Sequence, residues 1–233
     1  MTIAVLGGFL LDWFAVAFDW WKIKPPAKIL AMLMVILWTL FAVGWSPGAL
    51  MILLLLAQLF GLAGDIFLLF ADRWFFAGLG AFLIGHLFYA ALIFSDIASS
   101  GNLDLSMPSI IFSIFLSLVF WGLILLIVYR VFKRDNFLRH RRGRLLWNLV
   151  QVYTWILSGL SALTVFRVLI QSDPTAQMFL LPVGGGLFLL SDILLAYDRF
   201  VHRISKGQLW VHVTYHLAQF SLAVGFLSIM GHI

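Results

Sequence analysis

From its second residue onward the chain runs through eight long apolar stretches, at roughly 2–20, 28–45, 48–70, 75–95, 108–131, 145–170, 176–197 and 208–230. Each is close to the ~20 residues that a helix needs to cross the hydrocarbon core of a bilayer. In lipid every backbone N–H and C=O must be satisfied within the chain, and continuous apolar runs of this length achieve that as helices, not as barrel strands. The expectation is an all-α membrane protein: eight transmembrane helices forming one multi-pass domain over residues 1–233. Composition agrees, with 63% hydrophobic and only 11% charged residues, where a soluble domain carries about a quarter charged. Turn signals mark the breaks: Pro25-Pro26, Ser46-Pro47-Gly48, Ser99-Ser100-Gly101-Asn102 with Pro108, and Asp173-Pro174.

The cations test this count. Lys22, Lys24 and Lys28 flank the first connection, and Arg73 lies in the third. The run from Arg130 to Arg144 fills the fifth, and Arg199, Arg203 and Lys206 lie in the seventh. The even-numbered connections carry no Lys or Arg, and Arg167, inside the sixth stretch, is the exception. By the positive-inside rule the odd loops are cytoplasmic and both termini lie on the opposite side, in a bacterial-type cell membrane. The net charge of +5 is therefore a topological signal and does not point to nucleic acid. The basic run before the sixth stretch reads as an anchor to anionic lipid. The N-terminal stretch lacks a basic n-region and is read as a retained span, not a cleaved signal.

With no cysteine there is neither a disulfide framework nor thiolate catalysis. There is no glutamate either, so ten aspartates are the whole side-chain acid inventory. Two of them occupy matching words. Asp65 lies in Gly64-Asp65-Ile66-Phe67-Leu68, followed by Asp72-Arg73-Trp74. Asp192 lies in Ser191-Asp192-Ile193-Leu194-Leu195, followed by Asp198-Arg199-Phe200. An ionisable group at membrane depth is costly and marks a functional site by default. The words recur four spans apart, which raises a parallel four-plus-four repeat. His86 followed by Tyr89 in the fourth span, and His216 followed by Gln219 in the eighth, partly continue it.

Both aspartates fall about two turns from the cytoplasmic end of their spans. The fourth and eighth spans begin at that end. His86 and Tyr89 share one helix face, and His212, Tyr215, His216 and Gln219 follow i, i+3, i+4, i+7. The sixth span adds Asn148, Gln151, Tyr153, Thr154 and Ser158. Polar stripes avoid lipid, so these faces should converge on the bundle interior. Each residue also has a plain structural reading as a helix–helix hydrogen-bonding group. Gly184-Gly185-Gly186 reads as close packing or a bend, because nothing resembling a phosphate-loop pattern follows it. Asp12 is ambiguous, and Asp19, near the boundary, reads as solvated. His212 and His216 alone have an i, i+4 ligand spacing, and no acidic base is tied to it, so no metal or other cofactor is expected.

Lys24-Pro25, Gly64-Asp65, Gly85-His86-x-x-Tyr89, Ser191-Asp192 with Phe200, and Tyr215-x-x-Ala218-Gln219 recur in this order in the YhhN-type lysoplasmalogenase-like membrane proteins, which the chain resembles over most of its length. His216 and the following Phe220-Ser221 depart from that pattern. The resemblance implies a multi-pass hydrolase that cleaves the vinyl-ether bond of lysoplasmalogens, with Asp65 and Asp192 as the catalytic pair.

That chemistry needs a carboxylic acid to protonate the vinyl carbon and a carboxylate to orient water, a division of labour that glycosidases also use. Burial away from water and a neighbouring carboxylate both favour a neutral carboxyl in general. No Gly-x-Ser-x-Gly elbow competes with this scheme. Supporting roles fall to His86 and Tyr89 beside an aspartate or the water, to Tyr215 and Gln219 on glycerol oxygens, and to Lys24, with Lys28 one turn on, at the phosphate. The partners would be a lysophospholipid and water within the bilayer. Two other readings stand beside this one: a small proton-coupled transporter with paired acids, and a non-catalytic lipid-binding protein.

Overall fold

A computed structural model describes residues 1–44, 48–132 and 143–233. The described residues form eight α-helices: α1 (Thr2–Ala17), α2 (Lys24–Val43), α3 (Ala49–Leu69), α4 (Ala71–Ser99), α5 (Met107–Val131), α6 (Gly143–Leu169), α7 (Leu180–Phe200) and α8 (Gly207–Ile229). A short 3₁₀ turn, Ala176–Phe179, leads into α7. The helices α2 to α7 are long and apolar enough to cross a membrane. Helix α1 is apolar but has only 16 residues. Helix α8 has 23 residues and is diluted by the polar stripe from His212 to Gln219, which faces inward.

The element boundaries follow local chemistry. Pro25 and Pro26 sit in the first turn of α2, where a missing N–H costs no helix hydrogen bond. Gly44 closes α2 in a left-handed conformation, with φ of 72°. Only Phe70 separates α3 from α4, so Arg73 lies in the first turn of α4 and not in a loop. Ser46-Pro47 and the basic run over 133–142 lie outside the described residues.

Helix α8 runs through the middle, packed against α1, α2, α3 and α7. The two most extensive helix pairs are α3 with α4 and α7 with α8. Lipid tails are as apolar as leucine, so association within a membrane depends on close backbone approach and polar contacts. Glycine supplies the first. A Cβ on Gly184 would stand 2.8 Å from the Leu222 backbone nitrogen, and one on Gly225 would stand 2.6 Å from that of Leu181. The triple glycine is thus a packing surface at Gly184 and at Gly185, whose Cβ would meet Thr164 Oγ1 at 2.7 Å, while Gly186 faces open space. Helix α5 is peripheral and turns Phe112, Phe115, Leu118 and Ile127 outward, as a lipid-facing span does.

The connections α1–α2, α3–α4 and α7–α8 gather at one end, where Trp21, Phe75 and Arg203 line one cavity. The end of α5 joins them, with Phe132 beside Phe75 and Phe200. At the other end the α4–α5 and α6–α7 connections pair through a bridge between Leu103 and Gln171.

Arg167, on α6, is fully buried. Its Nε donates to Asp96 on α4 at 2.5 Å, and its Nη1 donates to Gln171 Oε1 at 2.9 Å. Removing one partner strands the other charge, whereas replacing both with apolar residues does not. Arg167→Met and Asp96→Leu should each destabilise the purified protein by about 3–5 kcal/mol, and the double variant should recover most of the loss. Denaturant or thermal unfolding in detergent provides the comparison.

Candidate active site

The last two turns of α3 carry Asp65 into the bundle, beside a glycine that lets a neighbour in. A Cβ on Gly64 would stand 2.7 Å from the Phe82 ring of α4. Asp65 is buried and meets Lys28 of α2, with Nζ 3.0 Å from Oδ1. Its Oδ2 accepts a hydrogen bond from the Tyr215 hydroxyl of α8 at 2.9 Å. Gln219 Nε2 donates to the Tyr215 oxygen at 3.3 Å, and Tyr89 donates to Gln219 Oε1 at 2.7 Å. Tyr89, Gln219, Tyr215, Asp65 and Lys28 therefore form one buried relay across α4, α8, α3 and α2. Tyr215 and Gln219, expected on substrate oxygens, are engaged with the protein itself. Gly61 makes room for them: a Cβ there would stand 2.8 Å from Gln219 Nε2 and 3.2 Å from the Tyr215 hydroxyl.

Asp192 lies in different surroundings. Its Oδ2 accepts a hydrogen bond from Tyr153 of α6 at 2.5 Å. No hydrogen bond among the described residues joins it to Asp65. A succession of ring contacts connects the two neighbourhoods: Tyr215 packs on Phe188 at 5.4 Å and on Phe82 at 5.6 Å, and Phe188 sits one turn before Asp192 on α7. His86 belongs to this aromatic group and hydrogen-bonds neither aspartate. Its Nδ1 pairs with the Phe82 carbonyl oxygen, its ring meets Phe188 edge-on at 4.3 Å, and its Nε2 is buried without a hydrogen-bond partner.

Two cavities open beside these groups. The first is walled by apolar side chains from α4 to α7, among them Leu79, Leu83, Leu157 and Ile193, and Tyr153 and Asp192 lie on its surface. The second is the more polar of the two, with Lys24, Lys28, Arg199, Arg203, Gln208 and His212 among apolar groups such as Leu68 and Val211 on its walls, and it lies at the end where the odd connections gather. Phe75 and Leu195 line both. Asp65 stands behind Lys28, which is the face of the pair toward the polar cavity. Lys24 pairs with the exposed Asp19 at its rim. Asp198 accepts from Arg203 and from the Ile204 N–H, which ties the α7–α8 connection in place.

A further acid joins the polar end. Asp12 of α1 is fully buried and contacts His212 Nδ1 at 2.6 Å, while His216 accepts from Trp13 Nε1 at 3.2 Å and stacks on Phe9. Tyr153, Lys28 and Asp12 were secondary or ambiguous as sequence candidates. The signal for Asp12 was present, since a lone acid in an apolar helix follows the same rule as Asp65. Its partner stands 200 positions away and leaves no local trace.

A family model covers residues 23–226 of the chain, and its description is the YhhN family. The chain belongs to the YhhN family. The matched region holds Lys24, Lys28, Asp65, His86, Tyr89, Tyr153, Asp192, His212, Tyr215 and Gln219, whereas α1, with Asp12, precedes it. No curated protein and no solved structure matches the chain.

The relay makes a prediction about coupling. Gly61→Ala forces Gln219 and Tyr215 aside, and overpacking of this kind costs about 1–3 kcal/mol. Gly80→Ala, where a Cβ meets nothing within 4 Å, should hold or raise the melting temperature, because alanine suits a helix interior better than glycine. Tyr215→Phe should add less than its full cost on top of Gly61→Ala, because both act on one hydrogen bond. Thermal unfolding of the four variants and the parent gives the cycle.

Proposed function

We propose that this YhhN-family protein hydrolyses the vinyl-ether bond of a lysoplasmalogen. The observation that carries the reading is the pair of cavities. A lysoplasmalogen is one apolar chain joined through its vinyl ether to a glycerol that bears a charged phosphate headgroup. The apolar cavity suits the chain and the cation-lined cavity suits the headgroup. The vinyl ether then falls where the two meet, at Phe75 and Leu195, with Asp192 on the apolar side. Binding pockets of this kind combine an apolar body with a few placed polar groups.

In this reading the two aspartates divide the work unequally. Asp192 faces a phenol, and among the described contacts it has no cation beside it, so it serves as the proton donor. Its proton passes to the vinyl carbon distal to the ether oxygen, and the π pair forms the new C–H bond. The resulting oxocarbenium ion lies beside the Asp192 carboxylate. Water adds to it and gives its proton to that carboxylate, which forms a hemiacetal. Cleavage of the bond between the hemiacetal carbon and the glycerol oxygen, with the hydroxyl proton moving to that leaving oxygen, yields aldehyde and glycerophospho-alcohol, with one water consumed. Asp65, clamped by Tyr215, holds the Lys28 ammonium at the wall of the headgroup cavity.

The gathering of the odd connections at one end and the positive-inside rule together support a cytoplasmic active-site face, with both termini opposite. Both cavities lie toward that end, which favours lipid access from one leaflet over passage across the membrane. The extensive pairing of α3 with α4 and of α7 with α8 supports a parallel four-plus-four origin.

The test uses purified protein, a lysoplasmenyl lipid and its saturated-ether analogue, with release of fatty aldehyde as the readout. Aldehyde should come from the vinyl ether alone. Asp192→Asn should lower kcat by about 10²–10⁴-fold, the usual contribution of a general acid. Asp65→Asn should act mainly on KM through the displaced Lys28. Full activity in the Asp192 variant would sink the mechanism.

A further inference from the structure

Helix α1 places an acid, Asp12, behind the wall of the polar cavity, and the relay does not use it. Asp12 Oδ2 lies 2.6 Å from His212 Nδ1 and 3.8 Å from His216 Nδ1. His216 Nδ1 already accepts the Trp13 indole N–H, so it carries no proton to offer Asp12. A carboxylate only accepts hydrogen bonds, so the proton between Asp12 and His212 sits on His212 Nδ1. Asp12 therefore fixes the orientation of the His212 ring, as carboxylates commonly do for functional imidazoles. With Nδ1 engaged, Nε2 is the nitrogen left for a ligand. His212 lines the polar cavity, and its side chain keeps 15% exposure while Asp12 has none.

The other groups on that cavity say what the ligand is. Lys24, Lys28 and Arg203 each pair with an aspartate through part of their donor set and keep further N–H groups, Gln208 adds another donor, and Asp198, the carboxylate on its walls, is bonded to Arg203 and to the Ile204 N–H. A wall of donors with its acid already satisfied matches a phosphate ester, whose oxygens only accept.

We propose that His212 is a phosphate-binding residue for a single-chain lipid and that Asp12 is its positioning residue. The proposal deepens the lysoplasmalogen reading and rests on it for the identity of the chain-bearing ligand. In this arrangement His212 is bound as the imidazolium between two anions, donating from Nδ1 to Asp12, which holds the ring from behind, and from Nε2 to a phosphate oxygen. Helix α1, which precedes the region the family model covers, thereby completes the headgroup site.

The experiment measures binding and not turnover, so it does not depend on hydrolysis. Three probes are titrated into purified full-length protein in detergent: 1-O-hexadecyl-glycerophosphoethanolamine, whose saturated ether cannot be hydrolysed by enol-ether chemistry, 1-O-hexadecylglycerol, which lacks the phosphate, and inorganic phosphate. The unmodified protein should prefer the phospholipid over the alkylglycerol. His212→Gln should weaken the phospholipid about tenfold, the scale of one hydrogen bond to a charged group, and leave alkylglycerol affinity unchanged. Asp12→Asn should shift the phospholipid in the same direction by less, with partial rescue in Asp12→Glu. Unchanged alkylglycerol binding reports that each variant is folded. If His212→Gln weakens both lipids equally, or neither, the proposal is overturned. Inorganic phosphate binding as tightly as the phospholipid would assign the site to the free anion and overturn the lipid assignment. A retained phosphate preference in a protein that releases no aldehyde would remove the hydrolase reading and leave this one standing.

Discussion

The buried pair of Lys28 and Asp65 is the constraint around which the bundle is arranged. A charge inside a membrane protein is tolerated only when it is matched by its partner and by hydrogen bonds. Asp65 receives both, from Lys28 on α2 and from Tyr215 on α8. Tyr215 is held in turn by Gln219, and Gln219 by Tyr89 of α4. Four helices are thereby set in register by one acid. A one-turn slip of α8 would leave Asp65 with Lys28 alone and strand Gln219 in an apolar interior. Close packing reinforces the register, because Gly61 and Gly64 admit the relay and Phe82 where a larger residue would clash.

Beside that arrangement lie two unlike cavities that share Phe75 and Leu195 on their walls. Phe82, Phe188 and Tyr215 pack against one another. Lys28 faces the cavity that carries cations on its walls, and Asp192 and Tyr153 face the apolar one. The matching aspartate words thus acquire different chemistry from their neighbours: an ammonium for one, a phenol for the other. The proposed mechanism, with one charged group and one proton donor, is built on that asymmetry.

Much of the fold was legible in the sequence. Stretch lengths marked the helices, and the alternating cations marked which connections share an end, since both signals are local and strong. Boundaries shifted where no Gly or Pro enforces them, as at Phe70, and α8 fell below ordinary apolarity because its stripe is buried by other helices. The site was legible in part. The acids and Lys24, His86, Tyr89, Tyr215 and Gln219 stood out as polar groups in apolar surroundings. Their partners did not, and His86 turned toward a backbone carbonyl and aromatic rings, away from either acid.

The sequence by itself determined that this chain enters the membrane as helices, which of its ends collect positive charge, and that Asp65 and Asp192 have to be sheltered. Those are costs of transferring single residues from water to lipid, and each is written where the residue stands. The tertiary structure alone decided that Asp65 faces Lys28, that Asp192 faces Tyr153, and that Asp12 reaches His212. These contacts join residues tens to hundreds of positions apart. They depend on the rotation and register of whole helices, which packing around Gly61, Gly64, Gly184 and Gly225 selects and no local pattern encodes.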